Sequence, residues 1–203
     1  MKNRDFQNII FDHLNNIYSY ILSPKEINNL NLKILKLSNT KKVKKKQFLS
    51  QKDIILITYA DTIIEKNKKS FFVLNKFLKK YIGKTFNTVH ILPFFPSSSD
   101  GGFSIIDFFK VEKKHGSWKD IKKISKNYKV MIDIVLNHGS KKSKWFKNFL
   151  INSGEGKNFY YSLNKNINVS NVIRARSHKL LQKVPIKKGF KYLWCTFSPD
   201  QID

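Results

Sequence analysis

Lys129-Val130-Met131-Ile132-Asp133-Ile134-Val135-Leu136-Asn137-His138 is a nearly unbroken apolar run, interrupted by one carboxylate and closed by two polar side chains. A short continuous apolar run is the pattern of a strand covered on both faces, as in a parallel sheet, so a strand is predicted over 129–135. Working back from it, Ser117 is placed to cap a helix carrying Trp118, Ile121 and Ile124, and Thr88 to Phe95 is a second apolar run. Phe71, Phe72, Leu74, Phe77, Leu78, Tyr81 and Ile82 recur at helical spacing up to Gly83, and Asp53 to Ala60 is a further strand. The order β-α-β-α-β with right-handed crossovers gives a contiguous parallel sheet, either open or closed into a barrel.

The end of the 129–138 run carries the chemistry. Strand alternation sends Asp133 and Val135 to one face and Ile134 and Leu136 to the other, while Asn137 and His138 emerge at the C-terminal mouth. An unpaired buried carboxylate costs several kcal/mol, so Asp133 is expected to have a partner or a task.

Outside this region, Phe6, Ile9, Ile10, Leu14, Ile17, Tyr18, Ile21 and Leu22 predict an amphipathic helix over about 4–22. Ser23, Pro24 and Glu26 then form the start of a second helix with a capping box, giving a hairpin. Residues 39–50, with the basic cluster Lys41 to Lys46, lack apolar periodicity and are expected to be a linker. Beyond His138 only Trp145 to Leu150 is a helix candidate, and the remainder is expected to be irregular. Three parts follow: 1–50, a helical hairpin with its Lys-rich linker; 51–138, the β-α-β-α-β portion; and 139–203, a partial subdomain inserted after the third strand.

Composition narrows the function classes. With 41% apolar and 14% aromatic residues over 203 positions, the chain has ample surface to bury and is not a disordered segment. Its 39 Lys and Arg against 14 Asp and Glu give +25, the kind of imbalance that points to polyanionic partners. The lysines are nevertheless spread along the chain and no nucleic-acid-binding motif accompanies them, so a solvated surface is expected, with no nucleic-acid partner. One cysteine, Cys195, excludes an internal disulfide framework and fits a reducing compartment, the cytoplasm. The N-terminus shows no apolar signal-type segment and no run is long enough to span a bilayer, so neither export nor a membrane partner is expected.

Asp133-Ile134-Val135-Leu136-Asn137-His138 resembles the first signature region of the alpha-amylase superfamily. Ile57-Thr58-Tyr59-Ala60-Asp61, His90-Ile91-Leu92-Pro93-Phe94-Phe95, Ser98 to Ser104, Gly116-Ser117-Trp118, Arg174-Ala175-Arg176 and Trp194 to Asp203 resemble, in order, the sucrose phosphorylase group within it. That resemblance implies an α/β fold, namely the N-terminal part of a (β/α)8 TIM barrel, strands one to three. It also implies glucosyl transfer from a glucoside to phosphate with retention, with phosphate as co-substrate and no other cofactor. The helical hairpin and the Ser-Ser-Asp form of the loop lean toward relatives acting on glucosylglycerate or phosphorylated sucrose.

By the same resemblance, Asp100 bonds hydroxyls of the glucosyl unit, Phe103 offers a ring face to the sugar and His138 contacts the primary hydroxyl. Asn137 matches a metal ligand of calcium-containing relatives, but no carboxylate cluster accompanies it, so no metal is expected. Arg174 and Arg176 fall where relatives shape the acceptor side. Gly101, Ala175 and Gly139 depart from residues common in the group, and are expected to alter loops rather than chemistry.

Retaining transfer needs two carboxylates about 5 to 5.5 Å apart, and the resemblance puts both beyond Asp203, after later strands. The chain is therefore expected to be inactive alone, as a truncated form or as one half of an enzyme completed by a second chain. A hydrolase of the same superfamily is the nearest alternative; a non-enzymatic basic protein binding nucleic acid or membrane is the more distant one.

Overall fold

The computed structural model describes residues 3–38 and 50–203, so the expected Lys41–Lys46 linker lies outside the described residues. The chain divides into two compact units, Met1–Phe48 and Leu49–Asp203.

The first unit is a helical hairpin. α1 (Asn3–Tyr18) and α2 (Pro24–Ser38) pack through Leu14 and Ile27. Ser23 starts α2 as its sequence implies: its backbone N–H and its hydroxyl both donate to Glu26 Oε2, at 2.8 and 2.7 Å. Buried Asn31 donates across the hairpin to the Gln7 carbonyl at 3.3 Å.

In the second unit, β1 (Ile55–Thr58), β2 (Thr88–Ile91) and β3 (Lys129–Ile132) form a parallel sheet in sequence order. Leu56↔Val89↔Val130 and Thr58↔Ile91↔Ile132 share one face, and Ile57↔His90↔Met131 the other. The first face packs on α3 (Ser70–Phe77) and α4 (Trp118–Ile124) around Phe71, Leu74, Val89, Ile91, Phe94 and Ile124. α4 opens with the box in which the Ser117 hydroxyl donates to Asp120 at 2.7 Å.

The strands are shorter than the apolar runs. β2 stops before Pro93, which has no N–H to give a ladder, and β3 stops with it at Ile132. Asp133 to His138 therefore lies past the paired strand. The helix from Ser70 ends in a π turn over Leu78–Ile82, closed by Gly83 at φ 55°.

Residues 139–203 are not irregular, contrary to the sequence expectation. Besides α5 (Lys144–Leu150), they hold β4 (Gly139–Ser140) paired with β8 (Gln201–Ile202), and an antiparallel sheet of β5 (Ser162–Leu163), β7 (Phe190–Trp194) and β6 (Leu181–Pro185). Leu181 and Leu193 are buried, but exposed Lys183 lies two residues from the first and half-buried Lys191 two residues from the second, so neither strand shows the apolar-polar alternation that marks a strand in sequence. A second core of Phe146, Leu193, Cys195 and Ile202 holds this layer together.

Candidate functional site

Beyond the C-terminal end of β3, a cavity of about 290 Å³ is lined by Asp100, Phe103, Asp133, Ile134, Val135, Asn137, His138 and Phe197. Five of the seven residues singled out by sequence converge there: Asp100, Phe103, Asp133, Asn137 and His138.

The loop bearing Asp100 and Phe103 is built from backbone that only a few residues tolerate. Asp100, Gly101 and Gly102 all have positive φ, 60°, 57° and 106°. At Gly102 a Cβ would meet the Pro93 carbonyl oxygen at 2.5 Å, so glycine is required. The loop is closed by hydrogen bonds that link the Ser98 hydroxyl with those of Ser104 and Ser140, at 2.8 and 2.7 Å, one of which Ser98 accepts.

His138 is buried, and its two ring nitrogens are both occupied. Asn137 Nδ2 lies 2.8 Å from Nδ1, and the Phe103 carbonyl 3.1 Å from Nε2, which fits a neutral ring with its proton on Nε2. Burial holds its pKa below the usual histidine value. Asp133 is half-buried and lies 3.1 Å from His90 Nε2, so the carboxylate inside the apolar run has a partner.

Two residues of this wall were missed by residue-by-residue reasoning. Gln201 Nε2 donates to Asp100 Oδ2 at 2.8 Å and lies 3.3 Å from His138 Nε2, and its Oε1 is buried without a partner among the described residues. Phe197 puts its ring 4.8 Å from that of His138. Asp203 holds the loop between them, accepting from the Thr196 N–H at 3.1 Å and from the Thr196 hydroxyl. The Trp194 to Asp203 stretch carried the signal, but nothing in its spacing says that a strand pairing with β4 would fold it back onto Asp100.

Arg174 and Arg176 do not line the cavity. The Arg174 guanidinium donates to the Thr196 carbonyl at 3.2 Å and to that of His178, and Arg176 Nε donates to the Phe197 carbonyl at 3.2 Å. They hold the backbone on either side of the Phe197 ring. Among the described residues no three His, Cys, Asp or Glu side chains gather as metal ligands, and no helix is long and apolar enough to cross a membrane.

The family model for the alpha-amylase catalytic domain matches residues 76–183. The chain belongs to the alpha-amylase family. Within it, the relatives place the chain in the sucrose phosphorylase-like group. A glucosylglycerate phosphorylase of Spirochaeta thermophila is 41% identical over 76% of this chain and 26% of its own length. One from Escherichia coli is 34% identical over 96% of this chain and 35% of its own. The crystal structure of sucrose 6F-phosphate phosphorylase from Thermoanaerobacter thermosaccharolyticum superposes with a TM-score of 0.62 at 31% identity, covering 77% of this chain and 34% of that one. The parallel β1-β2-β3 sheet with its helices is accordingly part of an α/β barrel. The chain spans about a quarter to a third of the length of the curated relatives it matches.

Proposed function

We propose that this chain forms one wall of the glucosyl pocket of a phosphorylase of the sucrose phosphorylase type, which moves glucose from a glucoside to phosphate with retention. The observation that carries the reading is the convergence of Asp100, Phe103, Asp133, Asn137 and His138 on one cavity with Phe197. A carboxylate accepts hydroxyl hydrogen bonds more strongly than a neutral group, and Asp100 is held toward the cavity by Gln201. Phe103 and Phe197 offer apolar ring surface to the C–H face of a sugar, and neutral His138 can exchange one of its present bonds for a hydroxyl.

In this reading the nucleophile and the acid/base come from barrel strands that follow β3, as the two-carboxylate mechanism requires. Activity then depends on those strands meeting this wall, and the partners are a small glucoside and phosphate. The compartment is the cytoplasm, in keeping with the single buried cysteine.

The test is complementation. This chain is co-expressed with the part of the Escherichia coli relative that lies beyond its matched region, and glucose 1-phosphate release is assayed from glucosylglycerate, sucrose and sucrose 6-phosphate. Phosphate-dependent release from one donor, abolished by Asp100→Asn, is expected. Donor cleavage indifferent to phosphate would assign a hydrolase, and a stable complex silent on every donor would overturn the reading.

A further inference from the structure

A second cavity, of about 630 Å³, lies between the C-terminal end of α5, residues 157–162 and the turn of the β6–β7 hairpin, and shares no lining residue with the glucosyl cavity. That volume falls in the range of small-molecule sites, roughly 300 to 1,000 Å³.

Its floor is firm. Phe149, Leu150 and Tyr160 line it and also pack on the second core. The Phe149 and Tyr160 rings meet edge-on at 5.5 Å, and the Tyr160 hydroxyl is bonded to Ser143 at 2.9 Å. The hairpin turn is tied to this floor by the Lys187 N–H, which donates to the Leu150 carbonyl at 2.8 Å.

The rim is cationic. Lys157, Lys187, Lys188 and Lys191 line the cavity and no Asp or Glu does. Lys76, Lys110, Lys114, Lys123 and Lys129 each have a carboxylate within ion-pair reach, whereas among the described residues none of these four does. Four like charges around one concavity repel one another, and an anion seated among them removes that repulsion. Ammonium groups on flexible stems suit phosphate oxygens as point charges, and a bare ion would leave the apolar floor wet.

We propose that this cavity binds a phosphate-bearing organic molecule, its phosphates among Lys157, Lys187, Lys188 and Lys191 and its less polar part on Phe149, Leu150 and Ile186. The inference does not rest on glucosyl transfer.

Calorimetric titration of the full chain with ATP and with inorganic pyrophosphate, at fixed ionic strength, tests it. The variant Lys157→Gln/Lys187→Gln/Lys188→Gln changes exposed side chains only, and Lys119→Gln/Lys122→Gln/Lys126→Gln removes the same charge from residues outside the cavity. Saturable binding is expected, tighter for ATP, weakened about tenfold or more by the cavity variant and by less than about twofold by the control. Equal weakening by the two variants would reduce the effect to general charge, pyrophosphate binding as tightly as ATP would remove the organic part, and no saturable binding of either probe would end the proposal.

Discussion

His138 Nε2 lies 3.1 Å from the carbonyl oxygen of Phe103, so the segment that follows the third strand and the loop after the second are joined by one imidazole N–H. The bond needs no positive charge on the ring, and burial disfavours one.

Stability should therefore decline as the solution is acidified through the histidine range. The folded-state pKa values of His138 and His115 are lowered, chiefly by burial, from the usual 6.5. Below 6.5 the unfolded chain takes up protons that the folded chain refuses, so unfolding gains ground until the folded values are reached. Thermal midpoints measured from neutral to mildly acidic pH should fall, and His138→Gln together with His115→Gln should flatten that slope. A slope unchanged in the double variant would place the acid sensitivity elsewhere.

Gly102→Ala should unseat the loop that carries Asp100 and Phe103. A non-glycine residue at left-handed φ costs about 1–2 kcal/mol, and forcing a methyl against a carbonyl costs about 1–3 kcal/mol more. Gly83 has φ 55° but nothing within 4 Å of an added Cβ. With ψ at −124° as well, Gly83→Ala should therefore cost only backbone strain, about 1–3 kcal/mol. Urea unfolding of the two variants side by side measures the difference, and equal losses would contradict the close approach at Pro93.

The contrast between these glycines was not legible in the chain, and the same holds for much of the site. Asp133 to His138 announced a strand end rich in polar groups, because one carboxylate in an apolar run has few structural explanations. The three parallel strands and the capping box at Ser23 were readable because hydrophobic period and cap chemistry are local. Gln201 was not, since its position beside Asp100 is made by the long-range pairing of Ser140 with Gln201. The β6–β7 hairpin was hidden for a different reason: Lys183 and Lys191 interrupt the apolar period of its strands, and its turn, Ile186-Lys187-Lys188-Gly189, carries one glycine as its sole signal.

Arg174 and Arg176, alike in sequence, should behave differently. Each donates to two carbonyls, Arg174 to those of Thr196 and His178 and Arg176 to those of Phe197 and Ala175, but Arg174 is half-buried whereas Arg176 is exposed and water can replace its bonds. Arg174→Met should cost about 1.5–3 kcal/mol, the scale of a lost charged hydrogen bond. Arg176→Met should stay within about 0.5 kcal/mol. Amide exchange across residues 194–197 should quicken in the first variant alone. Equal effects would mean that the guanidinium bonds of Arg174 do not brace the Phe197 segment.

The Cys195 thiol should be inert in the folded chain. It is fully buried, and burial pushes its pKa up to about 12, so almost no thiolate is available to a reagent at neutral pH. Alkylation by iodoacetamide should proceed only as fast as residues 193–195 open, and should accelerate on adding urea. Rapid labelling without denaturant would mean that the second core is looser than its packing against Leu193 and Ile202 implies.

The chain on its own should self-associate through its parallel sheet. Among the described residues β1 and β3 each pair on one side only, and the face away from α3 and α4 leaves Ile57 62% and Met131 42% exposed. Open edges beside exposed apolar side chains template pairing between copies. Ile57→Lys with Met131→Lys places charge on that surface while leaving Leu56, Val130 and Ile132 packed on the core. Sedimentation velocity should show the variant shifted toward monomer at concentrations where the parent associates. Association undiminished by the two lysines would put the contact on another surface.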